Sequence, residues 1–456
     1  MADLGVDKVI SPDAVPSNTT FTFEEQVITS SALYTMSLIC IILGSIRSVK
    51  FVDRHIRKKK LIEASITLSE AKKFPFTASL VLFGLYLFFK PDRSAWISGL
   101  AQTYLPENIA NTISGYLPVK TDDESVQNPT RFLKLLHLFP ENIQASILTF
   151  VGYLPSLSKE NAMTLLLLLL CYEGCVALAT ILKPLFSFVL NLLPIGNRWP
   201  KFNTPYFFSI KKGTKEMEEG DIEDAPKKNC EFLLKLEFDT HDCIALFFCL
   251  SVGISHIYQR HWITNNILGI AFSIYGIENL HLSSFKAGTL LLCGLFVYDI
   301  FWVFATDVMT SVAKGIDAPI LLQFPLDLLR NGYLNANKHS MLGLGDIVIP
   351  GIFIALLRRF DHRISETSKK DKTTKNRYFF VITVLAYAIG LVLTMVVMHY
   401  FKAAQPALLY LVPCCLLVPL LVASCTGELK NLWEYNEEHL IEKNEKKKAN
   451  MEKKNN

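Results

Sequence analysis

The sequence predicts an all-α membrane protein, a bundle of nine transmembrane helices. Half of its 456 residues are hydrophobic, and the mean hydropathy of +0.29 is too high for an ordinary soluble protein. The apolar residues fall in blocks of about 18 to 25, the length that a helix needs to cross roughly 30 Å of hydrocarbon. The segments between the blocks are rich in Lys, Arg, Asp and Glu. The net charge of only +4 gives no indication of a nucleic-acid partner.

Nine apolar runs are long enough to be transmembrane helices, with ends defined to within about three residues. In chain order they cover residues 28–46, 74–90, 162–189, 241–258, 262–280, 287–305, 341–360, 378–401 and 406–425. The first follows a polar segment that does not resemble a cleavable signal peptide, so we interpret it as a permanent signal anchor. The fourth and fifth are separated only by Gln259, Arg260 and His261 with their neighbours, which predicts a tight helical hairpin.

The spans divide the chain into five regions. Residues 1–27 form an N-terminal tail, 28–189 contain spans one to three, 190–240 form a loop, 241–425 contain spans four to nine, and 426–456 form a Lys-rich tail. Within the second region, the insertion 91–161 contains a Pro-Glu-Asn-Ile motif twice, at 106–109 and 140–143. Two copies are too few for a solenoid, so we interpret the insertion as a decoration on the membrane surface. The charged stretch 213–228 is typical of a flexible loop.

The distribution of basic residues predicts the orientation of the spans. Lys and Arg are concentrated after spans one, three and seven and in the C-terminal tail, and they are scarce after spans four and eight. With nine spans, this alternation places the N-terminus in the lumen and the C-terminus in the cytosol. Asn18 begins an N-glycosylation sequon in the lumenal tail. Lys453 and Lys454 resemble a dilysine retrieval signal, which is read in the cytosol and returns membrane proteins to the endoplasmic reticulum.

The cysteines give no indication of disulfides or of a metal site. Nine of the ten lie within apolar blocks, where a free cysteine behaves as a small hydrophobic residue. Cys171 and Cys175 share one helix face, but no second Cys or His pair accompanies them, so we expect no metal ion there.

Two aspartates lie inside otherwise apolar spans. A carboxylate at that depth costs on the order of 2.5–3.5 kcal/mol, so it needs a functional reason. Asp299 lies about six residues before the outer end of span six, roughly 9 Å deep at 1.5 Å per residue. Asp346 lies about five residues after the start of span seven, roughly 8 Å deep. Because consecutive helices usually pack as neighbours, we expect the two carboxylates to face each other.

A facing pair of carboxylates suits general acid–base chemistry. In a low-dielectric site the two cannot both ionise, so they share a proton. One then activates a water molecule while the other polarises a carbonyl group, without a metal ion or a cofactor. Gly343 and Gly345 would let a second backbone approach Asp346, and Tyr298 places a hydroxyl group next to Asp299 in the sequence.

The same residues also fit other functions. Acids inside a membrane serve as proton relays in transporters and as interhelical hydrogen-bonding groups, and their spacing alone does not separate a protease from a transporter. Two further acids, Glu173 and Glu278, have no matched partner in the sequence. We interpret them as packing or end-of-helix residues.

A third motif favours the protease. Gln405, Pro406, Ala407 and Leu408 open span nine from the lumenal side, at the depth of the two aspartates. Together, the motifs Tyr298-Asp299, Gly343-Leu344-Gly345-Asp346 and Pro406-Ala407-Leu408 resemble those of the GxGD intramembrane aspartyl proteases. Residues 298–304 and 341–360 are more similar to the signal peptide peptidases than to the presenilins. The resemblance is strongest over 230–425, and the insertion 91–161 has no counterpart in it.

The resemblance implies a protease of the endoplasmic reticulum membrane that hydrolyses peptide bonds within transmembrane segments, chiefly signal-peptide remnants and type II membrane proteins. It implies that Asp299 and Asp346 are catalytic and that the motif beginning at Gln405 shapes the cleft. Its partners would be transmembrane peptide substrates and lipids, with a second copy of the chain and the degradation machinery of the endoplasmic reticulum as further candidates. A membrane chaperone without turnover stays an alternative, whereas a transporter is less favoured because the halves of the chain show no internal repeat.

Residues 318–325, in the loop between spans six and seven, are apolar and contain Pro319 and Pro325 at or near their ends. Their length suits an edge strand, so we hypothesise that they pair with an extended substrate by strand addition. The alternative is a membrane-surface segment anchored by Phe324.

Overall fold

The computed structural model of the chain describes residues 22–58, 62, 65–89, 159–194, 201, 203–212, 231–304, 321–333, 336, 338–370, 378–401 and 406–438. Its elements in chain order are α1 (Phe23–Lys58), β1 (Ser65–Ile66), α2 (Leu68–Phe89), α3 (Lys159–Leu192), β2 (Pro205–Lys212), β3 (Glu231–Asp239), α4 (Thr240–Gln259), α5 (Trp262–Asn279), β4 (His281–Leu282), α6 (Phe285–Phe304), β5 (Leu321–Pro325), α7 (Leu328–Asn331), β6 (His339–Gly343), α8 (Leu344–Lys370), α9 (Phe379–Phe401), α10 (Leu408–Cys425) and α11 (Leu429–Trp433). Asn18, Gln405, the duplicated motif and the stretch 213–228 lie outside the described residues.

The long helices lie where the apolar runs predict them. Nine of the described helices have 18 residues or more, and each overlaps one predicted span. Six of these, α1, α3, α4, α6, α9 and α10, are long and apolar enough to cross a membrane. The chain is therefore a multi-pass membrane protein of mostly helical structure, and the count of nine crossings stays a prediction.

Helix α8 is the central helix of the bundle. The five residues from Phe353 to Leu357 are completely buried, so this part of the helix is covered on every side. One face of α8 packs with α6 and α10 in a first hydrophobic cluster. The other face packs with α1, α5 and α9 in a second cluster. Because Asp346 lies in the first turn of α8, the packing of this helix determines where that carboxylate lies.

Helices α1, α5 and α8 approach closely around Ile277. A Cβ atom added to Gly44 would lie 2.7 Å from Ile277 Cβ, and one added to Gly351 would lie 2.5 Å from Ile277 Cδ1. Both distances are shorter than a van der Waals contact between carbon atoms. The two glycines therefore allow α1 and α8 to pack on opposite sides of one buried isoleucine.

Glu278 lies at the end of α5, as interpreted from the sequence, but the expectation that it has no matched partner is wrong. Its side chain is buried and accepts hydrogen bonds from Arg47 Nε at 2.6 Å and from Arg54 Nη2 at 3.2 Å. Both arginines belong to the part of α1 that continues beyond the predicted first span. The ion pair joins α1 to the end of α5, and its members are more than 220 residues apart in the sequence.

The segment after α10 is docked against the bundle. Buried Arg359 of α8 donates from Nε to Glu437 Oε2 at 3.0 Å and from Nη1 to Ser48 Oγ at 2.8 Å. Tyr435 donates its hydroxyl to Glu437 at 2.7 Å. Burial alone would raise the pKa of Glu437, but the charge of Arg359, the hydrogen bond from Tyr435 and the charge of Arg363 outweigh it, so the pKa is lowered. The segment therefore contributes a charged anchor to the ends of α1 and α8.

Candidate active site

Asp299 and Asp346 line one cavity of about 610 Å³ between the helices. Asp299 lies in α6 and is only 5% exposed, while Asp346 is partly buried at the start of α8. Among the described residues that line this cavity there is no Lys, Arg or His, so neither carboxylate meets a basic side chain there.

The remaining walls of the cavity come from four further segments and from Leu326, which follows β5. The first turns of α1 contribute Phe23, Gln26, Val27, Ser30, Leu33 and Tyr34, α9 contributes residues between Leu391 and Tyr400, β6 contributes Ser340 to Gly343, and the start of α10 contributes Pro406 and Ala407. Most of these side chains are apolar, and a few hydroxyl and amide groups lie among them. This composition fits an apolar peptide segment better than a charged small molecule.

The third motif contacts Asp299 through its backbone. The N–H group of Leu408 donates a hydrogen bond to Asp299 Oδ2 at 3.1 Å. Leu408 is the first residue of α10, and the first N–H groups of a helix have no partner within it. A carboxylate at this position also complements the helix dipole. The motif therefore holds one aspartate in place and, through Pro406 and Ala407, forms part of the cavity wall.

Asp346 is held through the backbone of its own helix. The hydroxyl group of Tyr387, a fully buried residue of α9, donates to the Asp346 carbonyl oxygen at 3.1 Å. A Cβ atom added to Gly343 would lie 3.3 Å from Asp346 Oδ2, which is closer than a side chain normally comes. At Gly345 an added Cβ would meet nothing within 4 Å. Of the two glycines, Gly343 is therefore the one that leaves room for the carboxylate.

Besides Gly345, three predicted site residues do not line the cavity. Tyr298 packs against the first hydrophobic cluster, with its ring centre 6.3 Å from that of Trp302. Leu344 packs within the second cluster, towards α5. The side chain of Leu408 is buried in the first cluster. These three side chains support the site by packing, and Asn18 and Gln405 lie outside the described residues.

The predicted strand in the loop before α8 forms over Leu321–Pro325 and pairs antiparallel with β6. Its other edge is occupied, because Asn265 donates to Leu321 O at 2.6 Å, while Asn266 donates to Gln323 O at 2.6 Å and accepts from Gln323 N at 2.8 Å. The hypothesis that residues 318–325 pair with a substrate strand is therefore wrong for Leu321–Pro325, since side chains of α5 already satisfy the other edge of that strand, and residues 318–320 lie outside the described residues.

Strand β6 has its outer edge towards the cavity. Backbone groups of β5 residues 321 and 323 face α5, so those of 322 and 324 face β6. The register pairs Leu322 with Leu342 and Phe324 with Ser340. The backbone groups of Met341 and Gly343 consequently point away from β5, because successive residues of a strand alternate.

Comparison with known proteins assigns the family. Residues 58–439 match the model of the signal peptide peptidase family of peptidases. The chain is 55% identical to intramembrane protease 2 of Caenorhabditis elegans over 460 residues, which cover 98% of both chains. It is 36% identical to the signal peptide peptidase of Mus musculus, covering 89% of this chain and 82% of that one. It is 45% identical to the signal peptide peptidase of Homo sapiens over 56% of this chain and 65% of that one. The chain therefore belongs to the signal peptide peptidase family, and it is an intramembrane aspartic protease.

Proposed function

We propose that Asp299 and Asp346 are the catalytic pair of this protease. The observation that supports the assignment is that both carboxylates line one largely apolar cavity, and that no other Asp or Glu is among its described lining residues. Two carboxylates so placed favour a state in which the pair holds a single proton. The Leu408 N–H group stabilises a negative charge on Asp299, so we assign the ionised role to Asp299 and the protonated role to Asp346.

The proposed reaction needs only this pair and water. Asp299 takes a proton from a water molecule while the water oxygen attacks the scissile carbonyl carbon, and Asp346 gives its proton to the carbonyl oxygen. The resulting diol collapses as Asp299 passes its proton to the amide nitrogen and Asp346 takes one back from a diol hydroxyl. The C–N bond breaks, an acid and an amine leave, and the pair again holds one proton.

The substrate is held by the outer edge of β6. A transmembrane helix must unwind before its peptide bonds can be attacked, and in a membrane the freed backbone groups need new partners. The outward N–H and C=O groups of Met341 and the N–H group of Gly343 supply such partners by strand addition, while the C=O group of Gly343 accepts the first hydrogen bond of α8. Because Gly343 is three residues before Asp346, a strand added there runs past the carboxylate pair. Asn265 and Asn266 are positioning residues in this scheme, since they fasten β5, the strand that pairs with β6, to α5.

The substrates are signal-peptide remnants and type II membrane proteins of the endoplasmic reticulum. The names of the mouse and human relatives support the first class. The alternation of basic segments supports a lumenal N-terminus and a cytosolic C-terminus, and Lys453 and Lys454 support retention in the endoplasmic reticulum.

Cleavage of a synthetic signal peptide by the purified protein in lipid vesicles tests this proposal. The parent, Asp299→Asn and Asp346→Asn are compared with Asp327→Asn, a matched control because Asp327 is also buried, at 5% exposure, but does not line the cavity. We expect cleavage by the parent and the control and none by the two site variants, all four being folded. Cleavage that survives either site substitution would refute the assignment. A second substrate, in which the same transmembrane segment is inserted in the opposite orientation, tests the preference for type II segments. Equal cleavage of the two substrates would refute that preference.

A further inference from the structure

The hairpin formed by β2 and β3 has one uniformly apolar face. Its register pairs Tyr206 with Phe238, Phe208 with Leu236, and Ile210 with Leu234. Directly opposite residues of an antiparallel pair share a face, so these six apolar residues occupy successive positions of one side. On the other face of the hairpin, Phe207 lies opposite Glu237 and Ser209 lies opposite Lys235. The hairpin is therefore an amphipathic ribbon.

The apolar face is exposed where its side chains are described. Tyr206 is 48% exposed, Phe208 51%, Ile210 44% and Phe238 38%. These residues lie outside the membrane-spanning helices, in the connection between α3 and α4. Soluble surfaces rarely expose a contiguous apolar patch of this kind without a binding partner. A two-stranded hairpin is also only marginally stable alone in water, so the face requires a cover.

The base of the hairpin is fastened to the ends of α3 and α4. Strand β3 continues into α4 without a linker, and Thr240 N donates to Thr204 O at 3.1 Å. Lys183 of α3 forms ion pairs of 2.8 Å with Asp239 and with Asp242. Because α4 is a membrane-spanning helix that begins at Thr240, these contacts hold the first residues of the ribbon, including Tyr206, beside the start of that span.

We propose that the apolar face of the β2–β3 hairpin lies on the bilayer leaflet at this end of α3 and α4. Tyr206, Phe208 and Phe238 would lie at the boundary between headgroups and acyl chains, where aromatic residues are preferred. The occupant is therefore a phospholipid surface, and the hairpin is an interfacial anchor for the helices beside it.

Two observations favour lipid over a soluble partner or a second copy of the chain. The hairpin is continuous with a membrane-spanning helix, and its exposed face is rich in aromatic residues. A leaflet is already present beside the base, so covering the face needs no association with another molecule. An interfacial segment typically buries its apolar side by about 5–10 Å into the boundary region, which is within reach of a ribbon fastened at that level.

Quenching of tryptophan fluorescence by lipids brominated on their acyl chains tests the proposal. Phe208→Trp places the probe on the apolar face, and Phe207→Trp, one residue away, places it on the opposite face as a matched control. The five native tryptophans are a common background, removed by subtracting the emission of the parent. Both substitutions are conservative, and cleavage of the synthetic signal peptide confirms that each variant is folded.

We expect the added emission of Phe208→Trp to be quenched at least about twofold more strongly than that of Phe207→Trp, as for an apolar face that is buried in the boundary region. Equal quenching of the two probes would overturn the proposal. An added emission from Phe208→Trp that is shifted to the blue but unaffected by brominated lipid would also overturn it, because the face would then be covered by protein. This result does not depend on the assignment of the catalytic pair.

Discussion

The packing around Ile277 predicts which substitutions destabilise the bundle. Gly44→Ala brings a methyl group to within 2.7 Å of Ile277 Cβ, which cannot move without the backbone, and to within 2.8 Å of its Cγ2. Gly351→Ala brings one to within 2.5 Å of Cδ1 and 2.9 Å of Cγ1, nearer the free end of the side chain. Overpacking costs about 1–3 kcal/mol, and the gain of roughly 1 kcal/mol from replacing glycine in a helix offsets part of this. Both variants should therefore lower the free energy of unfolding, Gly44→Ala by the larger amount.

Ile277→Val distinguishes the two clashes. Valine lacks Cδ1 but keeps the Cβ and Cγ2 atoms, and alone it should cost about 0.5–1.5 kcal/mol. It should remove the shorter contact of Gly351→Ala, at 2.5 Å to Cδ1, although the contact at 2.9 Å to Cγ1 stays, and it should leave the Cβ and Cγ2 contacts of Gly44→Ala in place. The coupling free energy should be about 1 kcal/mol in the first double variant and near zero in the second.

Thermal unfolding in detergent micelles measures these differences. A thiol-reactive dye reports unfolding when it labels buried cysteines such as Cys40 and Cys415, which are fully buried in the folded protein. Gly345→Ala, in open space on the same helix as Gly351, is the matched control and should not lower the midpoint. Equal coupling of Ile277→Val to both alanine variants would refute the reasoning from these distances.

Three further predictions concern the site and its supports. The lowered pKa of Glu437 means that its charged form stabilises the folded state. Glu437→Gln should therefore lower the unfolding midpoint at pH 7. The difference from the parent should vanish as the pH falls through the pKa of Glu437 in the folded state, which lies below the ordinary value of about 4.3, and a difference that does not change with pH would contradict this. Gly343→Ala should displace the Asp346 carboxylate by a few tenths of an ångström and lower kcat about tenfold, with no change in the unfolding midpoint. An unchanged kcat would contradict the close approach of residue 343 to this carboxylate. Asn266→Ala removes the hydrogen bonds to the N–H and C=O groups of Gln323 and should raise KM more than it lowers kcat. Unaltered kinetics would show that these hydrogen bonds do not position the strand that binds substrate.

The features that the sequence predicts well depend on local patterns. Hydropathy alone predicts where the long helices lie, because each span is a continuous apolar run. Counting residues from the ends of two consecutive spans is enough to bring Asp299 and Asp346 to the same depth, and the structure places both on one cavity. The strand over Leu321–Pro325 is likewise visible as a short apolar run next to prolines.

The features that the sequence does not reveal depend on partners that are far apart in the chain. Glu278 pairs with an arginine 231 residues away, and Arg359 pairs with Glu437 at a separation of 78. The hydrogen bond from Leu408 to Asp299 uses a backbone N–H group, which leaves no trace in residue type. Side chains of Asn265 and Asn266 on α5 occupy the outer edge of β5 and so leave β6 as the strand with an unoccupied edge. No local sequence pattern indicates that these two side chains point towards β5.

The rates of peptide cleavage by Asp299→Asn, Asp346→Asn and the double variant, measured beside the parent in lipid vesicles, test the central claim most directly. If the two carboxylates act as one unit, each single substitution should reduce kcat by at least about 10⁴, and the double variant should be no slower than either single one. Losses that multiply in the double variant, or substantial turnover in either single variant, would contradict a shared-proton pair as the catalytic centre.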